Sequence, residues 1–234
     1  MSDNYVVWKG ASQIDGEPIY LILTGITRPS QNRKTGSMIQ SYILKEGILP
    51  TEYRKQGANA ICGSCPIKSA CYVGDHYLNN VYDGSYRDID KLPLAMLRGK
   101  PLRLGAYGDP AAVPVRIWKR LLRWATGGFT GYTHGWRWCD YELSNYCLAS
   151  VESKEIMEYA WSLGWKTYRI GLPDESPTQN EIYCPHYSSE PTIQCIQCQL
   201  CSGLGLDSKK GIFVPVHGGE GKKKAFKRVR EEID

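Results

Sequence analysis

The sequence predicts an α/β fold built on a parallel sheet, with an antiparallel β extension before it and a cysteine-rich metal segment after it. Three observations predict this. β-rich runs crowd residues 1–45, two of them joined by a polar loop. Strand-like and helix-like runs then alternate from residue 102 to 170. Seven of the nine cysteines fall into two clusters.

The N-terminal runs are residues 5–8, 19–24 and 38–44, and the polar stretch 28–36 reads as a hairpin loop. From residue 57 the character changes, with a Gly/Pro-punctuated cysteine loop over 62–71 and a mixed helical stretch to about 97. Residues 102–107 then read as a strand, Gly108-Asp109-Pro110 as a tight turn, and 113–125 as a helix. Val113, Ile117, Leu121 and Trp124 share one face of that helix. Residues 129–133 form the next strand, followed by a helix around 138–146. After a strand at 148–151, Ser153 is an N-cap for a helix over 154–163 that Gly164 ends. Strands at 166–170 and 212–216 complete the series. Alternation at this spacing argues for βαβ units and a parallel sheet. The expected divisions are 1–56, 57–180 and 181–234, packed as one unit.

Length and composition set the limits. A chain of 234 residues with 42% apolar and 23% charged residues buries a core without cysteine staples. Tyrosine (16) and tryptophan (7) far outnumber phenylalanine (3), which favours half-buried rings with a polar end. Net charge is 29 − 24 = +5, which permits an anionic partner without requiring one. The basic run Lys222, Lys223, Lys224, Lys227, Arg228 and Arg230 reads as a solvated tail. No leader pattern and no membrane-length apolar run is visible, so the expectation is a cytoplasmic protein without a membrane partner. Thiols stay reduced there, and clustered cysteines then point to metal.

The first cluster is Cys62-Gly-Ser-Cys65, followed by Cys71. Three thiolates on a flexible loop can wrap one soft metal and leave a position open. With His76 as a fourth ligand the same loop is a zinc knuckle. The second cluster is Cys195-x2-Cys198-x2-Cys201, with Cys184 eleven residues upstream. Four thiolates suit iron–sulfur ligation or a closed zinc site, and the spacing leaves both open. Cys139 and Cys147 lack ligand spacing and read as buried apolar residues.

The order of the cysteine loop, the Tyr107-Gly-Asp-Pro110 turn and the following strand–helix rhythm resembles the radical S-adenosylmethionine (SAM) superfamily, over about residues 57–171. The loop differs from the superfamily's usual C-x3-C-x2-C, being C-x2-C-x5-C, and Asp109 stands where Glu is common. The chain also resembles cysteine-rich bacteriophage proteins of no settled activity, through the Cys-Pro loop, Tyr107-Gly-Asp-Pro, Tyr132-Thr-His134, the C-x2-C-x2-C run and His217-Gly.

The first resemblance implies a partial parallel (β/α) barrel. It implies a [4Fe–4S] cluster on Cys62, Cys65 and Cys71, with SAM on its open iron and an external reductant. It further implies that Asp109, with Gly108 and Pro110, meets the SAM amino group, that Tyr72 or Tyr107 walls the adenine, and that the Cys184/Cys195/Cys198/Cys201 set is an auxiliary cluster or a zinc site.

Other residues carry two readings each. His134 and Glu152 stand at strand ends, where catalytic groups collect in parallel α/β folds; otherwise His134 is structural and Glu152 exposed at the surface. Asp109 sits in a plain tight turn, with Gly108 permissive and Pro110 starting the helix, or touches a ligand. Arg103 and Arg169 bind an anionic substrate inside the sheet or sit at an edge. The turn His217-Gly-Gly-Glu-Gly221 cradles phosphate or is a flexible exit. The expected function is an iron–sulfur enzyme of radical-SAM type acting on a small molecule or nucleic acid, in the host cytoplasm if phage-encoded. The alternative is a zinc-stabilised nucleic-acid-binding phage protein, a replication or host-interference factor without radical chemistry.

Overall fold

A computed structural model describes residues 3–71, 73–74, 77–206 and 208–233. Tyr72 and His76 lie outside the described residues.

The chain opens with β1 (Asn4–Ala11), β2 (Pro18–Thr24) and β3 (Ile39–Lys45), followed by short helices α1 (Pro50–Lys55), α2 (Asn59–Cys62) and α3 (Leu78–Asp83) and the two-residue β4 (Ser85–Tyr86). Next come β5 (Leu102–Tyr107), α4 (Val115–Leu122), β6 (Phe129–Thr130), β7 (Tyr132–Thr133), β8 (Leu148–Val151), α5 (Lys154–Ser162) and β9 (Thr167–Gly171). The last elements are β10 (Glu181–Tyr183), α6 (Pro185–Ser188), α7 (Cys195–Cys198), β11 (Gly211–Pro215) and α8 (Glu220–Ile233).

β1, β2 and β3 pair antiparallel, as apolar runs joined by short loops do. From β3 onward every pairing is parallel. β3 meets β5 and β5 meets β6; in the second sheet the order is β10-β11-β9-β8-β7. The fold is therefore mixed α/β, dominated by parallel pairing, with an antiparallel N-terminal part. β1 to β3 share a sheet with β5, and β10 and β11 extend the sheet of β9. Buried strands such as Ile-Tyr-Leu-Ile-Leu in β2 are apolar on both faces because helices and loops cover them.

The two sheets meet at Gly131. The expected strand over 129–133 is divided there, with Phe129–Thr130 on β5 and Tyr132–Thr133 on β8. Gly131 donates its N–H to the Cys201 carbonyl, 2.7 Å away, instead of to a strand. A Cβ at Gly131 would fall 2.8 Å from Cys147 Sγ, so the two sheets close on a residue without a side chain.

Two sequence expectations are corrected. The helix around 138–146 is replaced by two 3-10 turns, Gly135–Arg137 and Tyr141–Asn145. Asp140 caps Glu142 N–H, which restarts the chain in a tight turn and ends any continuous helix. The basic run is not a solvated tail. It lies on α8, where Phe226 and Val229 share one face and are buried in the smaller core beside Ile212 and Val214. By contrast, Ser153 caps α5 as expected, accepting from Ile156 N–H.

Candidate functional site

The first cysteine loop is tied to the exit of β5. Cys62 ends α2, entered through Ala58 in a left-handed conformation (φ 51°). Asp109 N–H donates to Ile61 O at 2.6 Å, and Ser12 Oγ donates to Ala60 O at 2.6 Å. Gly108 has φ +79°, and a Cβ there would fall 2.6 Å from Ile43 Cβ. Only glycine lets the strand exit pass this close to β3. Cys62, Cys65 and Cys71 thereby line one cavity of about 150 Å³ with Gly105, Tyr107, Gly108, Asp109 and His134. Burial, with Cys65 and Asp109 nearby, pushes the Cys62 thiol well up, so binding a metal there must displace its proton.

Asp109 is buried and its carboxylate is already engaged. Oδ1 accepts from Ala111 N–H at 2.9 Å and from the Thr133 hydroxyl. Oδ2 accepts from His134 N–H at 2.7 Å and Gly135 N–H at 3.3 Å. Four donors match the four lone-pair sites of a carboxylate. Asp109 therefore staples the exit of β5 to the exit of β7 and sets the backbone of His134.

His134 joins two acidic partners. Its Nδ1 is 3.5 Å from Cys65 Sγ and its Nε2 is 2.7 Å from Glu152 Oε1. Burial pulls the imidazole pKa down. The Cys65 sulfur and the Glu152 carboxylate outweigh it and hold the pKa well above its ordinary value. Both partners favour the protonated ring, whose two nitrogens face the sulfur and the carboxylate. Glu152 is buried behind it and borders neither cavity, so it positions His134. Pro110 also lies outside both cavities; it starts a turn whose carbonyl accepts from Trp118 Nε1.

The cysteine cavity shares Ile67, Val73, Arg103, Ala106, Tyr132 and His134 with a larger one of about 450 Å³. The larger cavity reaches Lys34, Tyr168 and His217. Cysteine loop, Asp109, His134 and Glu152 thus gather where β5, β7 and β8 end, as parallel α/β folds do with their chemistry.

The second cysteine loop packs between the β2–β3 loop and the sheet junction. Cys195 N–H donates to Lys34 O at 2.8 Å, and Gln199 Nε2 donates to Gly127 O at 2.8 Å. Gln199 is in a left-handed conformation (φ 50°), which turns its side chain back onto the junction. Cys184, Cys195, Cys198 and Cys201 surround one small apolar cavity. Burial pushes the thiols of Cys184, Cys195 and Cys201 up. All nine cysteines are free, and among the described residues no group of three or more Cys, His, Asp or Glu side chains is drawn into a metal-binding arrangement. By donor type the sulfurs suit soft metals, three lining one cavity and four another.

Arg169 is not placed to bind an anion. It is fully buried, and its guanidinium forks onto Glu181 at 2.9 and 2.8 Å and reaches Glu175 at 3.2 Å. Arg103 instead borders both cavities and donates to the Tyr132 hydroxyl at 2.9 Å. The glycines after His217 lead directly into α8. Lys34 and Tyr168 were invisible as site residues in the sequence, because no local pattern ties a hairpin loop to a distant strand. Cys147 is core, as expected, and Cys139 is half-buried with its thiol pushed up to about 12 by burial.

No known protein family and no solved structure matches this chain. Over 57 residues it is 37% identical to a protein of Rhopalurus junceus named as a candidate alpha-neurotoxin, RjAa13. The match covers 86% of that protein and 23% of this chain. A stretch of that size spans only part of the sheets described above and gives no family to the remainder. Among the described residues no helix is long and apolar enough to cross a membrane.

Proposed function

We propose that the chain is an iron–sulfur enzyme of radical-SAM type, with a [4Fe–4S] cluster on Cys62, Cys65 and Cys71 and a second, four-thiolate centre on Cys184, Cys195, Cys198 and Cys201. One observation carries the reading. Three thiols line a single cavity with the exit of β5, at the C-terminal ends of parallel strands, and that cavity continues into a larger one. The parallel run from β3 through β9 to β10 is read accordingly as a partial (β/α) barrel, its two sheets joined at Gly131.

When bound and reduced, the cluster supplies the electron for cleavage of SAM; an external reductant is required. The chain's own residues supply position. Cys62, Cys65 and Cys71 bind. Glu152 and Asp109 hold His134, which directs Nδ1–H at Cys65 Sγ; such a hydrogen bond to a ligand sulfur tunes its basicity and the metal's potential. Tyr107 and Gly108 form the wall beside the sulfurs. Asp109 acts by holding this wall, because its oxygens are taken. The SAM amino group must then find its acceptors elsewhere in the cavity.

The Cys65–His134–Glu152 chain favours a second reading, metal-free thiol catalysis with Cys65 as nucleophile, since a thiol–imidazole–carboxylate series is how such thiols are activated. Anaerobic purification followed by iron, sulfide and SAM-cleavage measurements separates the two. Iron and sulfide with reductive SAM cleavage support the first. Stoichiometric zinc, or no metal after reconstitution, overturns it; rapid alkylation of Cys65 in metal-free protein then supports the second.

A further inference from the structure

Lys34, Arg103 and His134, side chains that can carry positive charge, border the larger cavity. Lys34 and Arg103 both border it, and among the described residues no Asp or Glu side chain does. Neither forms an ion pair among the described residues. Lys34 Nζ lies 3.5 Å from the Tyr168 hydroxyl and 3.3 Å from the Tyr187 hydroxyl. Arg103 donates to the Tyr132 hydroxyl. Tyr132 and Tyr168 stack on each other, with ring centroids 4.5 Å apart and planes 12° apart. The two cations are therefore drawn to the hydroxyl ends of one aromatic pair.

Phenols are neutral acceptors and do not cancel charge. A guanidinium and an ammonium withdrawn from water are costly unless paired. Two buried arginines do have carboxylate partners: Arg169 has Glu181 and Glu175, and Arg230 has Glu175 at 3.4 Å. Beside the larger cavity, Lys34 and Arg103 have phenol hydroxyls as their hydrogen-bond partners instead.

From this we propose that the cavity binds a small organic anion, a phosphate monoester carried on a flat ring. Arg103 and Lys34 meet the phosphate, and the tyrosine walls take the ring. A guanidinium matches phosphate oxygens with two parallel donors, and an ammonium adds a compact charge beside it. Tyrosine faces stack on heterocycles without demanding one base. The volume, about 450 Å³, falls within the usual range for a ligand of mononucleotide size. The assignment rests on the reading above insofar as this cavity is the substrate side of the site, but its test is binding alone.

The test titrates the four 5′-ribonucleoside monophosphates, their parent nucleosides and inorganic phosphate into anaerobically prepared protein of measured metal content, by calorimetry at low salt. At least one monophosphate is expected to bind with a Kd below about 1 mM, and about tenfold or more tighter than its nucleoside and than inorganic phosphate. Lys34→Met and Arg103→Met are each expected to weaken it by about tenfold or more, with Arg103→Lys intermediate. No binding by any monophosphate, equal binding of the nucleosides or of inorganic phosphate, or unchanged binding in folded Lys34→Met and Arg103→Met overturns the proposal. If a methionine variant fails to fold, the wild-type titration and Arg103→Lys still decide. Iron, sulfide and SAM cleavage are read separately, so failure of the anion site and failure of the cluster assignment are distinct results.

Discussion

His134 Nε2 lies 2.7 Å from Oε1 of Glu152, a carboxylate only 2% exposed, while the other ring nitrogen faces Cys65 Sγ. Both the carboxylate and the sulfur favour the protonated form of this buried imidazole, against burial. The charge state of His134 is therefore the most direct report on whether the site is assembled as described.

The His134 pKa is raised, so its contribution to stability is fully present below the unfolded value, about 6.5, and is lost as pH rises through the higher folded value. At neutral pH both ring nitrogens should carry protons, visible in nitrogen-detected imidazole NMR spectra. Glu152→Gln removes one of the two raising partners. Its His134 should titrate at lower pH than wild type; an unchanged titration would remove Glu152 from this role.

Asp109 should act on stability. Its oxygens take four donors from Ala111, Thr133, His134 and Gly135. Replacing a buried charged acceptor leaves some of those donors unpaired. Asp109→Asn is expected to cost about 1–3 kcal/mol in urea unfolding and to disturb the His134 resonances.

The exit of β5 tolerates no side chain at Gly108. Its φ is +79°, and an added Cβ meets both Ile43 Cβ at 2.6 Å and Ile43 O at 2.8 Å. Gly108→Ala combines left-handed strain with a backbone clash. A loss of about 2 kcal/mol or more is expected, measured by thermal or urea unfolding.

The two cysteine sets should load independently. Cys62, Cys65 and Cys71 line one cavity, and Cys184, Cys195, Cys198 and Cys201 another. Cys62→Ser should lower metal content at the first set and leave the second filled; Cys198→Ser should do the reverse. Elemental analysis per chain checks both. Cys198→Ser should also lower the melting temperature, because its loop ties the β2–β3 loop to the sheet junction.

The buried Arg169–Glu181 pair is structural. Arg169 is fully buried, and Glu181 meets it with two hydrogen bonds. Glu181→Gln removes one of the two acceptor oxygens and the buried negative charge, leaving Glu175 as the carboxylate facing that cation. The expected cost is about 3 kcal/mol, seen in equilibrium unfolding.

Much of this was legible along the chain. The apolar runs of β1, β2, β3, β5 and β8 and the cap at Ser153 follow local rules, so periodicity and turn residues reveal them. The cysteine spacings are equally local. The break at Gly131 was not legible, because the residues on either side are good strand formers and only the partner each half finds divides them. α8 was misread for a related reason. Its lysines dominate the composition, while Phe226 and Val229 show their purpose only against the smaller core.

By itself the sequence determined that the runs of β1, β2, β3, β5, β8, β9 and β11 are strands, where the thiols lie along the chain, and that Gly108-Asp109-Pro110 must turn. These depend on neighbours within a few residues, where backbone sterics and apolar period decide. Tertiary structure alone decided that Asp109 spends its carboxylate on the β7 exit, that Glu152 stands behind His134, and that Lys34 and Arg103 converge on one tyrosine pair. Those relations join residues far apart in sequence. Charge, burial and hydrogen bonding act through space, and only the packed sheets set which groups share it.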